Sequence, residues 1–378
     1  MPLSTFAEGC RALWRPFARD RLLHALLLFL PLLWWQAPPP ARALRGAVDW
    51  PTLATLSGLL LLTQCVQQSG YLDHLGRQIL NRLRHERALA LFLISAAAAL
   101  STVLTNDVAL FVVVPLTLGL AGVPGLPVGR LVIFEALAVN AGSLLTPIGN
   151  PQNILLWQKS GLSFAAFTLQ MAPLALGCFA ALLIAACFAF PDQRIAPHVS
   201  GQAGGYHGGL LARALALYGL FLLTVDSGHA GAGLLGLALV LLLTRRAVLL
   251  AVDWSLIAVF LLMFVDIHLL ASLPLLREAL AALPASGPAG LYLAGLLGSQ
   301  VISNVPATML LVDRAGDLRL LAYAVNAGGF GFALGSLANL IALRMAAEPG
   351  LTRRFHYWSL PALALAGFAG WWLAQLTT

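Results

Sequence analysis

Long apolar segments alternate with short polar or charged stretches along the chain. Two segments, 69–87 and 272–285, are predicted to lie along the membrane surface, and the first of them is charged with leucines near helical spacing. Seven segments have the composition of membrane-crossing helices, for which about 20 apolar residues suffice: 22–35, 50–68, 164–190, 210–225, 232–243, 254–271 and 356–376. The pattern therefore predicts an all-α polytopic membrane protein.

The apolar segment 131–157 is interrupted between positions 140 and 153, which read N-A-G-S-L-L-T-P-I-G-N-P-Q-N. Pro147 and Pro151 each remove a backbone donor, and the glycines loosen the backbone around them. Backbone groups freed at membrane depth persist only where they are buried in protein or line a cavity. We therefore predict a discontinuous helix that faces a site.

A second apolar segment, 319–343, is interrupted in the same register. Residues 326–339 read N-A-G-G-F-G-F-A-L-G-S-L-A-N and align with 140–153 without a gap. Two interrupted segments at corresponding places in two halves point to the binding site of a secondary transporter. The matched pairs are Asn140/Asn326, Gly142/Gly328, Gly149/Gly335, Asn150/Ser336 and Asn153/Asn339.

A different kind of interruption occurs in segments 88–120 and 288–312. The first is broken by Leu104-Thr105-Asn106-Asp107 and the second by Ser303-Asn304-Val305-Pro306. Two full spans would need about 40 residues, so each segment is predicted to be a re-entrant hairpin with a polar tip.

The order of span, surface segment, polar-tipped hairpin, broken helix and span thus occurs twice. We divide the chain into an N-terminal segment with the first span (1–49), repeat 1 (50–190), a loop with two spans (191–252) and repeat 2 (253–378). With a cytoplasmic N-terminus and re-entrant hairpins, about three quarters of the 22 Lys and Arg residues fall inside. If both hairpins crossed completely, that share would fall to about three fifths, so the positive-inside rule favours re-entrance. An odd number of crossings then separates the repeats, which makes them inverted.

Composition agrees with the membrane assignment and excludes several other classes. The chain is 60% hydrophobic and 10% charged, with a mean hydropathy of +0.86. Its net charge of +7 is spread between apolar spans without a basic run, so we expect lipid contact and no nucleic acid partner. The four cysteines show no C-x-x-C spacing, which predicts neither disulfides nor a metal site. Enzyme motifs such as H-E-x-x-H, G-x-S-x-G and the P-loop are missing, and we predict neither catalysis nor a cofactor.

Both hairpin tips and both helix breaks are predicted to meet near the middle of the membrane. Helix N-termini there offer amide donors and positive dipole ends to an anion, and side-chain amides and hydroxyls could replace a hydration shell. Some of these residues could instead only join helices by hydrogen bonds. The candidate substrate or ion ligands are Thr105, Asn106, Asn140, Gly142, Thr146, Pro147, Gly149, Asn150, Asn153, Ser303, Asn304, Pro306, Asn326, Gly335, Ser336 and Asn339.

Acidic residues inside a membrane are costly and by default functional. Asp107 follows the first hairpin tip, and Asp266 lies in the middle of F-L-L-M-F-V-D-I-H-L-L. Either could take up a proton during transport, which makes both candidate coupling residues. Glu135, in the first half of the broken segment, is a weaker candidate.

These motifs resemble those of the ion-transporter superfamily, which includes arsenite permeases, sodium/proton antiporters, citrate-transporter-like permeases and dicarboxylate/sodium symporters. L-T-N-D-V-A-L-F-V-V-V-P-L resembles the first hairpin of arsenite permeases, and S-L-L-T-P-I-G-N-P-Q-N resembles the first broken helix of small bacterial anion permeases. S-N-V-P-A-T resembles the second hairpin, and the similarity covers roughly residues 50–376.

The resemblance implies a scaffold and a moving transport domain, a homodimer and an elevator-like cycle. By position it places Thr105, Asn106, Asn150, Ser303, Asn304 and Ser336 at the substrate or coupling-ion site. The sodium-coupled dicarboxylate branch resembles Ser-Asn-Thr at both tips, whereas the tips here are Thr-Asn-Asp and Ser-Asn-Val. That departure favours proton coupling through Asp107 over a sodium site.

Together these observations favour a multi-pass transporter of the bacterial inner membrane that moves a small anion, a carboxylate or an oxyanion, with protons. Two alternatives stay open: a Na⁺/H⁺ antiporter in which Asp107 and Asp266 bind the cation, and an arsenite-type metalloid efflux permease.

Overall fold

The computed structural model describes residues 17–18, 20–36, 46–72, 74, 78, 83–195, 205–282 and 287–376. Most of the N-terminal arginines, the proline-rich loop after the first span and most of the predicted surface helix 69–87 lie outside the described residues. Within the described ranges the secondary structure is helical apart from one isolated bridge between His85 and Arg194.

The helices group into two compact units. The small unit comprises Met1–Ser69 and His207–Leu283, and the large unit comprises Gly70–Tyr206 and Pro284–Thr378. The small unit contains the helices α1 (Arg21–Gln36), α2 (Trp50–Gln68), α8 (Gly208–Asp226), α9 (Ala230–Ala251), α10 (Trp254–Ser272) and α11 (Pro274–Ala282).

In the small unit α2 packs against α8, α9 and α10, and α10 also packs against α1 and α11. Asp49 and Asp253 start α2 and α10 in the same way, because each carboxylate accepts a backbone N–H of the first turn.

The large unit contains both predicted hairpins and both predicted broken helices. In chain order its helices are α3 (Glu86–Val103), α4 (Asn106–Leu118), α5 (Val128–Ser143), α6 (Pro151–Ser160), α7 (Phe164–Ala189), α12 (Gly287–Ile302), α13 (Asn304–Leu311), α14 (Leu318–Gly328), α15 (Leu337–Ala346) and α16 (Leu351–Gln375). Two short 3₁₀ turns, Val312–Arg314 and Ala333–Gly335, lie between them.

The order of elements in the large unit agrees with the predicted hairpins and broken helices. Thr105 separates α3 from α4 after Leu104 ends α3, and Ser303 separates α12 from α13. The hairpin arm α3 has 18 residues and the apolar composition of a full membrane span. Re-entrance of the first hairpin therefore stays a prediction.

Five of the described helices are long and apolar enough to cross a membrane: Glu86–Val103, Phe164–Ala189, Gly208–Asp226, Ala230–Ala251 and Trp254–Ser272. The predicted short span 232–243 is corrected to the longer helix α9, which has 22 residues. Arg245 and Arg246 suggested an end to the span, but arginine is a good helix former and the helix continues past them. The interruption is local, since Arg245 alone leaves helical geometry with φ −150° and ψ 53°.

Candidate functional site

Both broken helices of the large unit restart at a polar residue. Asn150 ends the first break, and its side-chain oxygen accepts the backbone N–H of Asn153 at 2.8 Å to cap α6. Pro151 occupies the first position of α6, where a missing N–H costs nothing. Ser336 ends the second break and precedes α15, although its side chain makes no capping bond there.

Asparagine side chains from the two breaks bond each other reciprocally. Asn140 on α5 donates from Nδ2 to Oδ1 of Asn339 on α15 at 2.8 Å. Asn326 on α14 donates from Nδ2 to Oδ1 of Asn153 on α6 at 2.7 Å. The first asparagine of each break is thus paired with the last asparagine of the other.

Two further hydrogen bonds join the first break to the second. Ser336 Oγ donates to Asn140 Oδ1 at 3.1 Å, and Asn150 Nδ2 donates to Asn326 Oδ1 at 3.0 Å. All of these side chains are buried.

Backbone carbonyls complete the network. Asn339 Nδ2 donates to the carbonyl of Gly329 at 2.9 Å, and Asn153 Nδ2 donates to the carbonyl of Ser143 at 3.3 Å. Asn153 also donates to the carbonyls of Leu144 and Thr146, which the helix break leaves without helical partners. The amides of the breaks are therefore committed to holding the broken helices together.

Each hairpin is hydrogen-bonded to a helix break. Three residues before the first tip, the carbonyl of Thr102 accepts the hydroxyl of Thr146 at 2.6 Å. Three residues before the second tip, Gln300 Oε1 accepts the backbone N–H of Phe332 at 2.8 Å, and Gln300 Nε2 donates to the carbonyl of Gly328 at 2.7 Å.

The first tip itself also contacts a break, because the backbone N–H of Asn106 donates to the carbonyl of Gly149 at 2.8 Å. At the second tip, a Cβ added to Gly329 would lie 3.3 Å from Asn304 Nδ2 and 3.5 Å from Asn140 Oδ1. Both tip asparagines therefore lie beside the network of break asparagines.

The tip asparagines differ from the break asparagines in one respect. Neither Asn106 Nδ2 nor Asn304 Nδ2 donates a hydrogen bond to any described residue, although both side chains are buried. Asn106 Oδ1 accepts the backbone N–H of Asp107 at 3.0 Å, so the oxygen of this side chain is engaged while its amide nitrogen has no described acceptor. Two amide donors at the starts of α4 and α13 are thus available to a ligand.

The other predicted ligands have positioning contacts. Thr105 is buried and precedes α4 without capping it, and Ser303 precedes α13 with a φ of 74°, in the left-handed region. Gly142 lies against the backbone of α3, where a Cβ would collide with the carbonyl of Ala98. A Cβ on Gly335 would lie 2.7 Å from the carbonyl of Gly328. Pro147 is buried in the first break, and Pro306 is half-buried in the first turn of α13.

Three of the buried acids in the described apolar helices have a carboxylate oxygen without a hydrogen-bond partner. Asp107, the second residue of α4, is 6% exposed, and its Oδ1 has no hydrogen-bond partner among the described residues. Glu135 on α5 accepts the hydroxyl of Thr117 at Oε1, while its Oε2 has no described partner. Asp266 belongs to the small unit, where both of its carboxylate oxygens lack described partners. The two predicted coupling residues therefore belong to different units.

Sequence reasoning missed several members of the network. Ser143 and Gly329 supply carbonyls to the network. They occupy matching positions when residues 140–153 are aligned with 326–339, and that match could have identified them. Gln152, whose Nε2 lies 3.4 Å from Asn326 Oδ1, and Gln300 gave no such signal, because glutamine has no counterpart at the matching position.

Comparison with known proteins identifies the family. The model of the citrate transporter family, CitMHS, matches residues 12–319. The inner membrane protein YbiR of Escherichia coli (strain K12) is 48% identical over 360 residues, which cover 94% of this chain and 97% of that protein. An uncharacterized transporter of Methanocaldococcus jannaschii is 32% identical over 301 residues, 79% of this chain and 81% of that protein. The silicon efflux transporter LSI3 of Oryza sativa subsp. japonica is 32% identical over 128 residues, 34% of this chain and 26% of that protein.

These matches confirm the predicted superfamily and agree with a transporter rather than an enzyme. The predicted multi-pass localisation in an inner membrane is confirmed by the relative from E. coli and by the apolar helices. This chain is therefore a membrane transporter that belongs to the citrate transporter family.

Proposed function

We propose that the chain is a secondary active transporter that moves a small anion, a carboxylate or an oxyanion, in a proton-coupled cycle. The observation that carries the proposal is the pair of uncommitted amides at the hairpin tips, Asn106 Nδ2 and Asn304 Nδ2. They lie beside two broken helices whose own asparagines are engaged in mutual hydrogen bonds.

An anion suits this arrangement electrostatically. The helices α4, α6, α13 and α15 all begin at the tips or at the ends of the breaks, so their positive dipole ends and first-turn amides gather there. No Lys or Arg takes part in the hydrogen bonds of the breaks and tips described above. Binding then rests on dipoles and neutral amides, which hold an anion loosely enough to release it.

In this proposal the sixteen predicted ligands divide by role. Asn106 and Asn304 contact the substrate, with Thr105 and Ser303 beside them. The distance between the breaks is set by the side chains that bond across them, namely Asn140, Asn150, Asn153, Asn326, Ser336 and Asn339. The glycines and prolines shape the backbone, and Thr146 joins the first break to the first hairpin through the carbonyl of Thr102.

Asp107 is the proposed coupling residue because it adjoins a tip asparagine. Its backbone N–H bonds the Oδ1 of Asn106, and its buried Oδ1 is free to bond a proton or a coupling ion. A carboxylate so close to a bound anion would repel it, so protonation of Asp107 favours anion binding. Proton and anion are then carried together.

We further propose that the two halves of the large unit are inverted repeats and that this unit moves as the transport domain of an elevator. The reciprocal bonds between Asn140 and Asn339 and between Asn326 and Asn153 support a two-fold relation. The small unit, with its separate core, is the proposed scaffold, and the active form is a homodimer in which the scaffolds meet.

The first test is internal pH in proteoliposomes that contain a pH dye. One series adds citrate, succinate, sulfate, phosphate or arsenite, and a second adds Na⁺ or Li⁺. We expect proton flux with one class of anion only. Flux with Na⁺ or Li⁺ alone would contradict the proposal and assign the chain to the antiporters.

Variants then separate binding from coupling. Asn106→Ala and Asn304→Ala should each lower anion uptake at least tenfold, since each removes a hydrogen bond to a charged ligand, worth about 1.5–3 kcal/mol. Asp107→Asn should leave exchange of labelled anion for unlabelled anion intact and abolish its dependence on the pH gradient. Loss of anion exchange in Asp107→Asn together with unchanged exchange in both tip variants would contradict the assigned roles.

A second candidate substrate is a neutral metalloid acid. The donors at the tips are uncharged amides, and one relative is named a silicon efflux transporter. Arsenite and silicate added to the same vesicles distinguish this case, because transport of a neutral acid would not respond to Asp107→Asn.

A further inference from the structure

The large unit contains a cavity with charged residues in its wall, away from the hairpin tips. It has a volume of about 490 Å³ and lies where α5 begins and where the segment after α15 leads into α16. Its charged lining consists of Arg130, Glu348 and Arg354, and aromatic side chains of Tyr357 and Trp358 form part of its wall.

The cavity carries one unneutralised positive charge. Arg354 forms an ion pair with Glu348. Arg130 forms no ion pair with a described residue; its Nη1 donates to the carbonyl of Ala189 at 2.5 Å, and its guanidinium lies 5.8 Å from the centroid of the Phe190 ring. These contacts hold the guanidinium in place while leaving its charge for a ligand. A single negative charge, as on a phosphodiester, would balance the cavity.

An apolar groove of about 260 Å³ continues from this cavity, and Tyr357 and Trp358 line both. The groove lies among α5, α7 and α16. Its lining is apolar and includes Leu137 on α5, Ala185 on α7, and Ala362 and Leu365 on α16.

The cavity and the groove are arranged along the helices as the headgroup and an acyl chain of a phospholipid are arranged in a membrane. Leu137 is seven residues along α5 from Arg130, and Leu365 is eleven residues along α16 from Arg354. At about 1.5 Å per residue, the groove extends roughly 10–16 Å from the charged cavity towards the middle of the helices. The Lys and Arg distribution predicts that both arginines face the cytoplasm, where basic pockets between helices bind anionic lipid headgroups.

We propose that the cavity and the groove form one binding site for an anionic phospholipid of the inner leaflet. The phosphodiester lies between Arg130 and Arg354, and one acyl chain fills the groove beside Trp358. A free anion would leave the groove without an occupant, and a second protein copy would need an acidic residue for Arg130. A phospholipid satisfies both parts of the site.

Native mass spectrometry of the purified full chain tests the site. The probes are dioleoyl phosphatidylglycerol, dioleoyl phosphatidylcholine and inorganic phosphate. We expect the wild-type chain to retain phosphatidylglycerol in preference to phosphatidylcholine. Arg130→Gln should weaken that retention about tenfold, the equivalent of one charge-assisted hydrogen bond. Arg353→Gln is the matched control, because Arg353 is exposed, adjoins Arg354 and does not line the cavity.

The groove is tested separately. Ala185→Trp should fill it and release phosphatidylglycerol, and Ala362→Phe serves the same purpose if the first variant does not fold. Equal retention of both lipids, or unchanged retention in a folded groove variant, would overturn the proposal. Displacement of phosphatidylglycerol by inorganic phosphate would instead indicate a free-anion site. A change in the dimer fraction in place of lipid loss would indicate that a second copy occupies the groove.

Discussion

At the scale of single residues, the asparagines of this transporter divide by whether their amides are already bonded. Asn140 and Asn153 are chemically identical to Asn106 and Asn304, yet the first pair bonds protein groups and the second pair has amide donors to spare. The amide of Asn140 is bonded by a partner 199 residues away, whereas the amide of Asn153 is bonded by carbonyls 7–10 residues away that the helix break leaves free. Sequence could predict that these residues gather in one site, but the commitment of each amide depends on how the broken helices fold and pack.

The committed amides should act on stability. Asn153→Ala would remove three bonds to backbone carbonyls and the bond from Asn326. Leaving such groups unpaired costs about 2 kcal/mol, so the thermal midpoint in detergent should fall by roughly 4–8 °C. Gln170→Ala is the control, because that side chain bonds no described residue, and its midpoint should stay within about 1 °C. Equal midpoints for the two variants would show that the network does not stabilise the fold.

The two hairpin tips should respond in opposite ways to glycine. Ser303 holds a φ of 74°, a conformation that glycine adopts without strain, so Ser303→Gly should raise stability by about 1 kcal/mol. Thr105 holds an ordinary extended conformation with φ −67°, so Thr105→Gly should lower it by about 0.5–1 kcal/mol. Thermal unfolding in detergent measures both, and shifts of the same sign would contradict the strain assigned to Ser303.

At the scale of helices, each broken helix is joined closely to the arm of a hairpin. The contact between α3 and α5 depends on Gly142, beside Ala98 and Ser101, and the contact between α12 and α14 depends on Gly328, beside Leu296 and Ser299. The sequence identified these glycines from the repeated register, but assigned them to loosening of the backbone. Their observed role is close approach between helices, which no single-segment pattern contains.

The close contact at Gly142 predicts that alanine there lowers stability, whereas alanine at an uncrowded helical glycine raises it. Gly142→Ala would push a methyl group into the carbonyl of Ala98, and overpacking of this kind costs about 1–3 kcal/mol. Gly177→Ala on α7 meets open space and should stabilise by about 0.5–1 kcal/mol, as alanine does in a helix. Chemical or thermal unfolding of both variants checks the signs, and a stabilising Gly142→Ala would contradict the close contact.

Helix boundaries show where sequence reasoning was sufficient. The hairpins and breaks were predicted because polar and helix-breaking residues in an apolar segment have few physical explanations. The length of α9 was missed because a charged pair near a span end resembles a terminus, whereas the helix only deforms at Arg245. The hydrogen bond from Thr117 to Glu135 was also missed, since the two residues lie on different helices.

At the scale of the whole molecule, the chain forms two compact units that are discontinuous in sequence. Two chain segments build each unit, so the small unit is interrupted by the first half of the large one. The sequence-based division into consecutive repeats cuts across these compact units and remains a prediction. The function of the units as scaffold and transport domain is likewise a proposal.

The inverted arrangement predicts access from opposite sides. In a background without the four native cysteines, Gly122→Cys, just after the first hairpin, should react with a membrane-impermeant thiol reagent only from the cytoplasm, and Gly316→Cys, just after the second hairpin, only from outside. Both glycines are exposed and lie away from the tips, so alternating access at the site does not change the side from which they react. Right-side-out and inside-out vesicles provide the comparison. Labelling of both cysteines from the same side would contradict inverted re-entrant hairpins.

The reciprocal pairing of Asn140 with Asn339 also has a consequence for biosynthesis. The two residues are 199 positions apart, so a ribosome adding about 5–20 residues per second delivers Asn339 roughly 10–40 s after Asn140. During that interval the first broken helix is already made while the acceptors of the Asn140 amide, the Asn339 side chain and the carbonyl of Gly329, do not yet exist. The first half must therefore wait in the translocation machinery or beside lipid with the Asn140 donor unpaired, and the large unit can close only when its second segment, Pro284–Thr378, has been synthesised.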